Sequence, residues 1–309
     1  MKKILSLILV LVFALTCFVA CGDNDGDNNG TDNGANNGGT TPANYTLAIA
    51  VESAGGSRLT NTVGVVVFAA DGKIVDAAFD CTQTNTPTIA DGQIVAQSTA
   101  SKVENNYQQG GMAWTWGQQA ESFANYIKGK TAAEVAAIDV TNAELISGCT
   151  MTSSMADLQS VVAKAAASTR KVAFTTASSF ALGVGMNTAI SKKWDGSVAV
   201  TCDVSGAVVG TDGKVISAII DTIEQSYANN DGTLTLNTLS ASKLALGDAY
   251  EGDTPMDAGR WYNQMAAFYN TSIGKNATEV EGLATENITG CTINVVGAKA
   301  ALVKAVSRA

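Results

Sequence analysis

Histidine is absent from this 309-residue chain. A Ser-His-Asp catalytic triad, a histidine-liganded zinc site and the usual haem attachment motif all require an imidazole, so these classes of site are excluded. A hydrolase built on serine or threonine would also lack a general base of the usual type. The missing residue therefore removes many enzyme classes before any motif is considered.

Basic residues are few and are not clustered. The chain has 19 Lys and Arg against 28 Asp and Glu, and loss of Lys2 and Lys3 with a cleaved leader would leave 17 against 28, a formal charge of −11. Nucleic-acid binding depends on neutralising phosphates with Lys and Arg. We therefore expect no nucleic-acid partner.

The chain begins with a pattern typical of exported proteins. The sequence MKKILSLILVLVFALTCFVAC has two lysines, a short apolar run and small residues before a cysteine, which is the architecture of a secretory signal. The last four residues, Phe18 to Cys21, resemble the lipobox of bacterial lipoproteins. This resemblance implies a signal peptide over residues 1–20, lipidation of Cys21 and attachment to the outer side of the cell membrane by acyl chains. A plain cleaved signal peptide is the alternative.

A polar segment follows the signal. Residues 22–44, GDNDGDNNGTDNGANNGGTTPAN, contain no large apolar side chain. Such a segment cannot bury enough apolar surface to offset the entropy lost on ordering. Residues 21–44 are therefore predicted to be a disordered tether rich in Gly, Asn and Asp.

The remaining chain contains an internal repeat. VVFAADGKIVDAAFD (residues 66–80) matches AVVGTDGKVISAIID (residues 207–221), and each copy reads as two apolar strands joined by an Asp-Gly-Lys turn. YTLAIAVESAG and FALGVGMNTAI precede the two hairpins in the same way. We predict an α+β fold with two tandem homologous domains, residues 45–169 and 170–309, each an antiparallel hairpin-based sheet packed against helices.

The later part of each repeat has helical spacing. Trp116, Ala120, Phe123 and Ile127 recur on one helical face. Trp261, Met265 and Phe268 do the same in the second copy. The sequences TAAE and NATE place a capping side chain three residues before a glutamate, which predicts a short second helix in each copy. A last helix is predicted with the stripe Leu158, Val161, Val162 and Ala165 in the first copy, and with Leu302, Val303 and Val306 in the second.

A short motif precedes each last helix. It reads ELISGCT, ending at Thr150, and ENITGCT, ending at Thr292. Together with the Asp-Gly-Lys hairpin, it resembles the FMN-binding domain family, in which an exported FMN transferase esterifies the last threonine of an acid-x-x-Ser/Thr-Gly-Ala-Thr motif with the phosphate of FMN. The resemblance implies covalent FMN at Thr150 and Thr292. The further motif residues that it assigns to cofactor binding are Glu144, Ser147, Gly148, Cys149, Glu286, Thr289, Gly290 and Cys291.

The motif also departs from the family pattern. Glutamate replaces the usual aspartate, and cysteine replaces alanine, in both copies. The physical reason for such a motif is that glycine opens a turn to a bulky phosphate, and a threonine at a helix start lies near free N–H groups. The alternative is an ordinary turn with a threonine helix cap, which needs no cofactor.

Aromatic and basic residues near the motif have two readings. Trp116, Trp261, Tyr107 and Tyr250 could stack on a flavin, but the helical spacing favours core positions for the two tryptophans. The glycine-rich turn GMAWTWG, with Trp114 and Trp116, is the more suggestive surface. Lys102 and Lys243 recur in the sequence ASK and could meet a phosphate, although lysines in such positions are usually solvated.

Four cysteines remain when the leader is removed and Cys21 is lipidated, namely Cys81, Cys149, Cys202 and Cys291. They allow three disulfide pairings, and their spacing does not choose among them. No CxxC motif is present, so neither a metal cluster nor thioredoxin-type chemistry is expected. We expect free, partly buried thiols, because a large domain does not require disulfides.

The sequence thus leads to one main hypothesis and one alternative. The first is a membrane-anchored extracytoplasmic lipoprotein that carries covalent FMN and transfers electrons between a membrane redox donor and an extracellular acceptor. It would depend on an exported FMN transferase, would contain no metal, and would be an electron-transfer or binding protein more than a self-contained enzyme. The alternative is a non-enzymatic surface lipoprotein that keeps the fold and binds another ligand or partner noncovalently.

Overall fold

The computed structural model describes residues 42–95, 97–254 and 256–309. The predicted signal peptide, Cys21 and the tether up to residue 41 lie outside the described residues. The first strand begins at Ala43, two residues before the predicted start of the folded region.

Each half of the described chain forms long antiparallel strands followed by helices. The first half contains β1 (Ala43–Ala54), β2 (Arg58–Ala69), β3 (Ile74–Asn85), β4 (Ile89–Ala90), β5 (Gln93–Ile94), α1 (Trp116–Ile127), α2 (Ala132–Ala136) and α3 (Thr152–Ala167). The second half contains β6 (Val172–Thr176), β7 (Phe180–Lys192), β8 (Val198–Gly210), β9 (Val215–Asn230), β10 (Thr233–Leu236), α4 (Lys243–Leu246), a 3-10 helix (Gly247–Tyr250), α5 (Trp261–Asn270), α6 (Ala277–Glu281) and α7 (Val296–Ser307). These antiparallel strands and helices confirm the predicted α+β class.

The two Asp-Gly-Lys hairpins form as predicted. They join β2 to β3 and β8 to β9, with Gly72 and Gly213 in the left-handed backbone region at φ values of 81° and 74°. Each hairpin also has a register shift at the same place, between Val67 and Phe68 in the first and between Val208 and Val209 in the second. The repeated sequence therefore specifies the same local structure twice.

The two sheets pack against each other. The first has the strand order β3-β2-β1-β6 and the second has the order β10-β9-β8-β7. Their facing side chains form one shared core, in which Val65 of the first sheet fills the space above Gly206 of the second. α1 and α3 pack on the first sheet, and α5 and α7 pack on the second. Both faces of the central strands are therefore buried, which explains their nearly continuous apolar sequences.

The two repeats are not separate compact units. The described residues form one compact unit, and β6, which follows the predicted boundary at residue 169, pairs with β1. The prediction of two tandem domains is thus not confirmed. The physical reason is that each sheet has a second apolar face, which the other sheet covers.

The helices form where the sequence patterns predict them. α2 and α6 each begin with a capping box, formed by Thr131 with Glu134 and by Asn276 with Glu279. The predicted helical faces are buried in the core, apart from Val303, which is half-buried. Within the described ranges, no helix is long and apolar enough to cross a bilayer. The four cysteines of the described chain are free and buried.

Candidate functional site

The repeated motif forms the same tight turn in both halves. Ile146 pairs with Cys149 in an isolated antiparallel bridge, and Ile288 pairs with Cys291 in the same way. The glycine between them has a left-handed conformation, with φ of 80° at Gly148 and 79° at Gly290. A side chain at this position would be strained, which explains why both copies contain glycine. At Gly148 an added Cβ would also lie 2.6 Å from Ser122 Oγ.

Both threonines of the motif are exposed and are held by a glutamine. The N–H and the hydroxyl of Thr150 donate to Gln119 Oε1 at 2.8 and 3.2 Å. Thr292 donates in the same two ways to Gln264 Oε1, again at 2.8 and 3.2 Å. Each hydroxyl is thus oriented at the surface by a contact that is the same in both halves.

The two glutamines were not recognised from the sequence. Both are fully buried and lie three residues after the tryptophan that begins α1 or α5. Gln119 Nε2 donates to Trp114 O at 3.2 Å, and Gln264 Nε2 donates to Gly259 O at 2.8 Å, so each side-chain amide uses both its ends. The signal that could have revealed them is a glutamine at the same position in both repeats, where an apolar helical face would favour a hydrophobic residue.

The other predicted site residues have different surroundings. Ser147, Thr289, Glu144 and Glu286 are exposed, and within the described residues their side chains form no hydrogen bond or ion pair. Gly148 and Gly290 are the turn residues. The motif cysteines point into the core instead: Cys149 is completely buried, and burial raises the pKa of its thiol to about 11. Burial also raises the pKa of the Cys291 thiol. Both cysteines therefore serve packing and are poor nucleophiles at neutral pH.

Neither motif threonine caps the helix that follows it, because the capping positions are Met151 and Val295 and neither makes a side-chain cap hydrogen bond. α3 begins at Thr152, two residues after Thr150, whereas α7 begins at Val296, four residues after Thr292. The alternative interpretation of the motif threonine as a helix cap is therefore wrong in both copies, although the ordinary turn that it also assumed is present. The second copy has Asn294 in this connection, and its side chain accepts the N–H of Val296 at 2.9 Å, which delays the helix start.

The tryptophans that begin α1 and α5 are core residues. Trp116 is 2% exposed and Trp261 is 5% exposed, so the core interpretation is confirmed for both. Lys102 lies over the Trp116 ring, with its Nζ 5.5 Å from the ring centroid, and Lys243 lies over Trp261 at 5.6 Å. Tyr107 and Tyr250 lie beside the same ammonium groups, at 5.1 and 4.7 Å. The recurring ASK lysines are thus cation–π partners of aromatic rings.

Trp114 is the exposed tryptophan next to the first threonine. Its side chain is 41% exposed, and its carbonyl shares Gln119 with Thr150. The corresponding carbonyl in the second half belongs to Gly259, which offers no ring. The first threonine is therefore linked through Gln119 to an aromatic residue, whereas the second is linked through Gln264 to a glycine.

The described chain contains no group of three His, Cys, Asp or Glu side chains that could hold a metal ion. The motif offers hydroxyl and amide groups, and its chemistry is that of an exposed alcohol held in a fixed position. No family model matches the chain, and no curated protein or solved structure matches it.

Proposed function

We propose that this protein is a membrane-anchored extracytoplasmic lipoprotein that carries FMN covalently on Thr150 and Thr292 and acts as an electron carrier. The observation that supports it best is that two exposed threonine hydroxyls have the same environment in two halves of one chain. A phosphoester needs an accessible hydroxyl, and both turns provide one two residues after the glycine. When bound, FMN would supply reversible electron transfer through its isoalloxazine ring.

The residues around each hydroxyl fit an acceptor of modification better than a nucleophile with its own base. The partner of Thr150 and of Thr292 is an amide oxygen, which orients the hydroxyl without removing its proton. The base must therefore come from the exported transferase. In the transfer from FAD, the Oγ–P bond forms, the pyrophosphate bond breaks and AMP leaves, while the hydroxyl proton passes to that base.

Trp114 supports a preference for the first site. Its side chain is exposed and its backbone carbonyl binds the glutamine that holds Thr150, so its ring is the aromatic group that we expect to stack on a flavin attached there. Stacking of the isoalloxazine ring on an aromatic side chain contributes about 0.5–1.5 kcal/mol in addition to the effect of the buried area. We therefore expect flavin at Thr150 to be more strongly quenched and less exposed than flavin at Thr292.

The test is intact-mass measurement of the full chain exported together with an FMN transferase, FAD and a divalent metal ion. We expect two FMN phosphoesters, of which one is lost in Thr150→Ala, one in Thr292→Ala and both in the double variant. Thr152→Ala, at the first residue of α3, is the matched control and should keep both phosphoesters. An unmodified mass, with the transferase active on a standard target, would refute the proposal.

Gln119→Leu tests the positioning role of the glutamine. The hydroxyl would lose its acceptor while the helix keeps a buried side chain of similar size, so modification at Thr150 should slow while Thr292 is modified at the normal rate. Since both sites are on one chain, the second serves as an internal control for folding and for transferase activity. Equal rates at the two threonines would contradict the role.

A further inference from the structure

The last helices of the two halves are equivalent along their whole buried face. Their buried positions follow in the same spacing, with Met155, Leu158, Val161, Val162 and Ala165 in the first corresponding to Val295, Ala298, Ala301, Leu302 and Ala305 in the second. The capping residue directly after each helix is then Ser168 in the first half and Arg308 in the second. Their N–H groups donate to Ala165 O and Ala305 O, both at 3.3 Å. A serine and an arginine thus occupy equivalent places.

Arg308 neutralises a buried acid. Its Nη1 lies 3.0 Å from Asp80 Oδ2 and 3.2 Å from Val184 O, and its Nη2 lies 3.6 Å from Glu104 Oε1. Asp80 is completely buried, and its Oδ2 also accepts the Ser101 hydroxyl at 2.6 Å. A buried carboxylate is stable when paired in this way and costly when it is not.

Asp221 is the equivalent acid in the second half, and its pairing is incomplete. Its Oδ1 accepts the N–H groups of Thr222 and Leu244 at 2.7 and 2.9 Å, as Asp80 Oδ1 accepts those of Cys81 and Val103. Asp221 is also completely buried, but its Oδ2 has no hydrogen-bond partner among the described residues.

The hydroxyl beside Asp221 does not replace the missing partner. Ser242 lies near enough to lower the pKa of this carboxyl, yet it forms no hydrogen bond to Oδ2 of the kind that Ser101 forms with Asp80. Burial is the larger effect and raises the pKa of Asp221 to about 6. An unpaired buried carboxylate of this kind gains stability from any donor that reaches it.

A cleft lies where the missing arginine would be. It has a volume of about 610 Å³ and is lined by Ser168, Asp221 and Ile49, which is the β1 counterpart of Val184 in β7. Its apolar walls come from Val51, Ile223, Leu239 and Leu244.

The two cations at the rim of this cleft have other partners. Lys164 Nζ binds Glu52 at 2.8 Å, and Arg170 Nη2 binds Asp248 at 3.3 Å. The guanidinium of Arg170 also lies over the Tyr262 ring, 4.3 Å from its centroid. Neither cation bonds to Asp221 Oδ2, and Lys243, whose charge lowers the pKa of this carboxyl, forms no ion pair with it among the described residues.

We propose that this cleft binds a small organic cation, a guanidinium or primary ammonium group on a short apolar chain. The cationic group donates to Asp221 Oδ2 and to Ile49 O, as Arg308 donates to Asp80 and Val184 O in the other half. The apolar chain lies against the walls of the cleft. Because Asp221 is completely buried, the ligand reaches it only when a wall residue such as Leu244 moves. This inference does not depend on flavin attachment, because the cleft contains neither threonine of the motif.

Calorimetric titration of the full chain with n-butylguanidinium at pH 7.5 tests the proposal. We expect one equivalent to bind, and n-butylurea, which has the same shape without the charge, to bind at least ten times more weakly. Asp221→Asn removes the charge and should weaken binding of n-butylguanidinium by at least tenfold. Absence of binding to the unaltered chain, or equal binding of the urea, would overturn the proposal.

Ser168→Arg is the sharpest variant, since it places in the cleft the residue that the other half has. It should abolish binding and raise the thermal midpoint at pH 7.5, because its guanidinium pairs with Asp221. Ser168→Ala is the matched control and should bind as the unaltered chain does. Binding that is unchanged in Ser168→Arg would assign the titration heat to another place on the protein and overturn the proposal.

Discussion

Replacing Asp221 by asparagine should change how the stability of this protein depends on pH. The carboxyl is completely buried, and burial raises its pKa from 3.8 to about 6. An acid whose pKa is raised by folding favours the native state while it is protonated. Its contribution is complete below pH 3.8, the value for the unfolded chain, and is lost as the pH rises through about 6.

The size of this effect follows from the shift. A difference of about two pKa units at about 1.4 kcal/mol each gives roughly 3 kcal/mol between pH 4 and pH 7.5. Asparagine does not ionise, and its carbonyl can still accept the N–H groups of Thr222 and Leu244. Lys243, whose charge lowers the pKa of Asp221, is present in both proteins. The variant should therefore lack this one component of the pH dependence.

The assay is urea unfolding of both proteins at several pH values from 4 to 8. Comparing them at each pH cancels the other buried acids with raised pKa values, such as Asp80 and Asp203. Urea is preferable to guanidinium chloride, since the guanidinium ion is of the class proposed to bind this carboxylate. We expect the unaltered chain to lose about 3 kcal/mol relative to the variant across the range. A change below about 1 kcal/mol, or one of opposite sign, would refute this reasoning.

Three further predictions concern buried residues of the fold. Gly206→Ala would place a Cβ 2.3 Å from Val65 Cγ1 and should destabilise the protein by about 1–3 kcal/mol in thermal unfolding. Adding Val65→Ala should partly restore the stability. Strictly additive effects of the two substitutions would contradict sheet-to-sheet packing. Phe123→Ala and Phe268→Ala should each lower the free energy of unfolding by about 3–5 kcal/mol. Calorimetry should show a single unfolding transition for each variant, whereas two transitions would indicate independent halves. The four buried cysteines should resist a thiol reagent until urea is added, as peptide mapping would show, and labelling of the native protein would argue against their burial.

The sequence predicts most of the local structure because each local signal is short-range. An Asp-Gly-Lys turn needs only its own residues and two apolar flanks, and the capping boxes at Thr131 and Asn276 need only a glutamate three residues later. Both signals occur twice, so each copy supports the other. The same reasoning correctly assigned Trp116 and Trp261 to the helical core.

The packing of the sheets was not predictable in the same way. A strand with apolar residues on both faces does not reveal whether a helix or a second sheet covers its second face. The contact of Val65 with Gly206 joins residues from different repeats, and no local pattern connects them. The buried glutamines were missed for a similar reason, since Gln119 joins Trp114, which is near in sequence, to Thr150, which is 31 residues away.

Comparing the two halves reveals more than either half does alone. Where the repeat is maintained, as in the turns at Gly148 and Gly290, the two structures have the same hydrogen bonds at the same distances. Where the two halves differ in sequence, the equivalent site in the other half shows the physical consequence of the difference. Asp80 and Asp221 are the same acid with the same backbone donors, but only Asp80 has an arginine at the end of the opposing helix. A buried carboxylate without a partner lowers the stability of the native protein. Asp221 lies beside an open cleft. The geometry of Arg308 at Asp80 therefore indicates the charge and the shape of the group that would pair with Asp221.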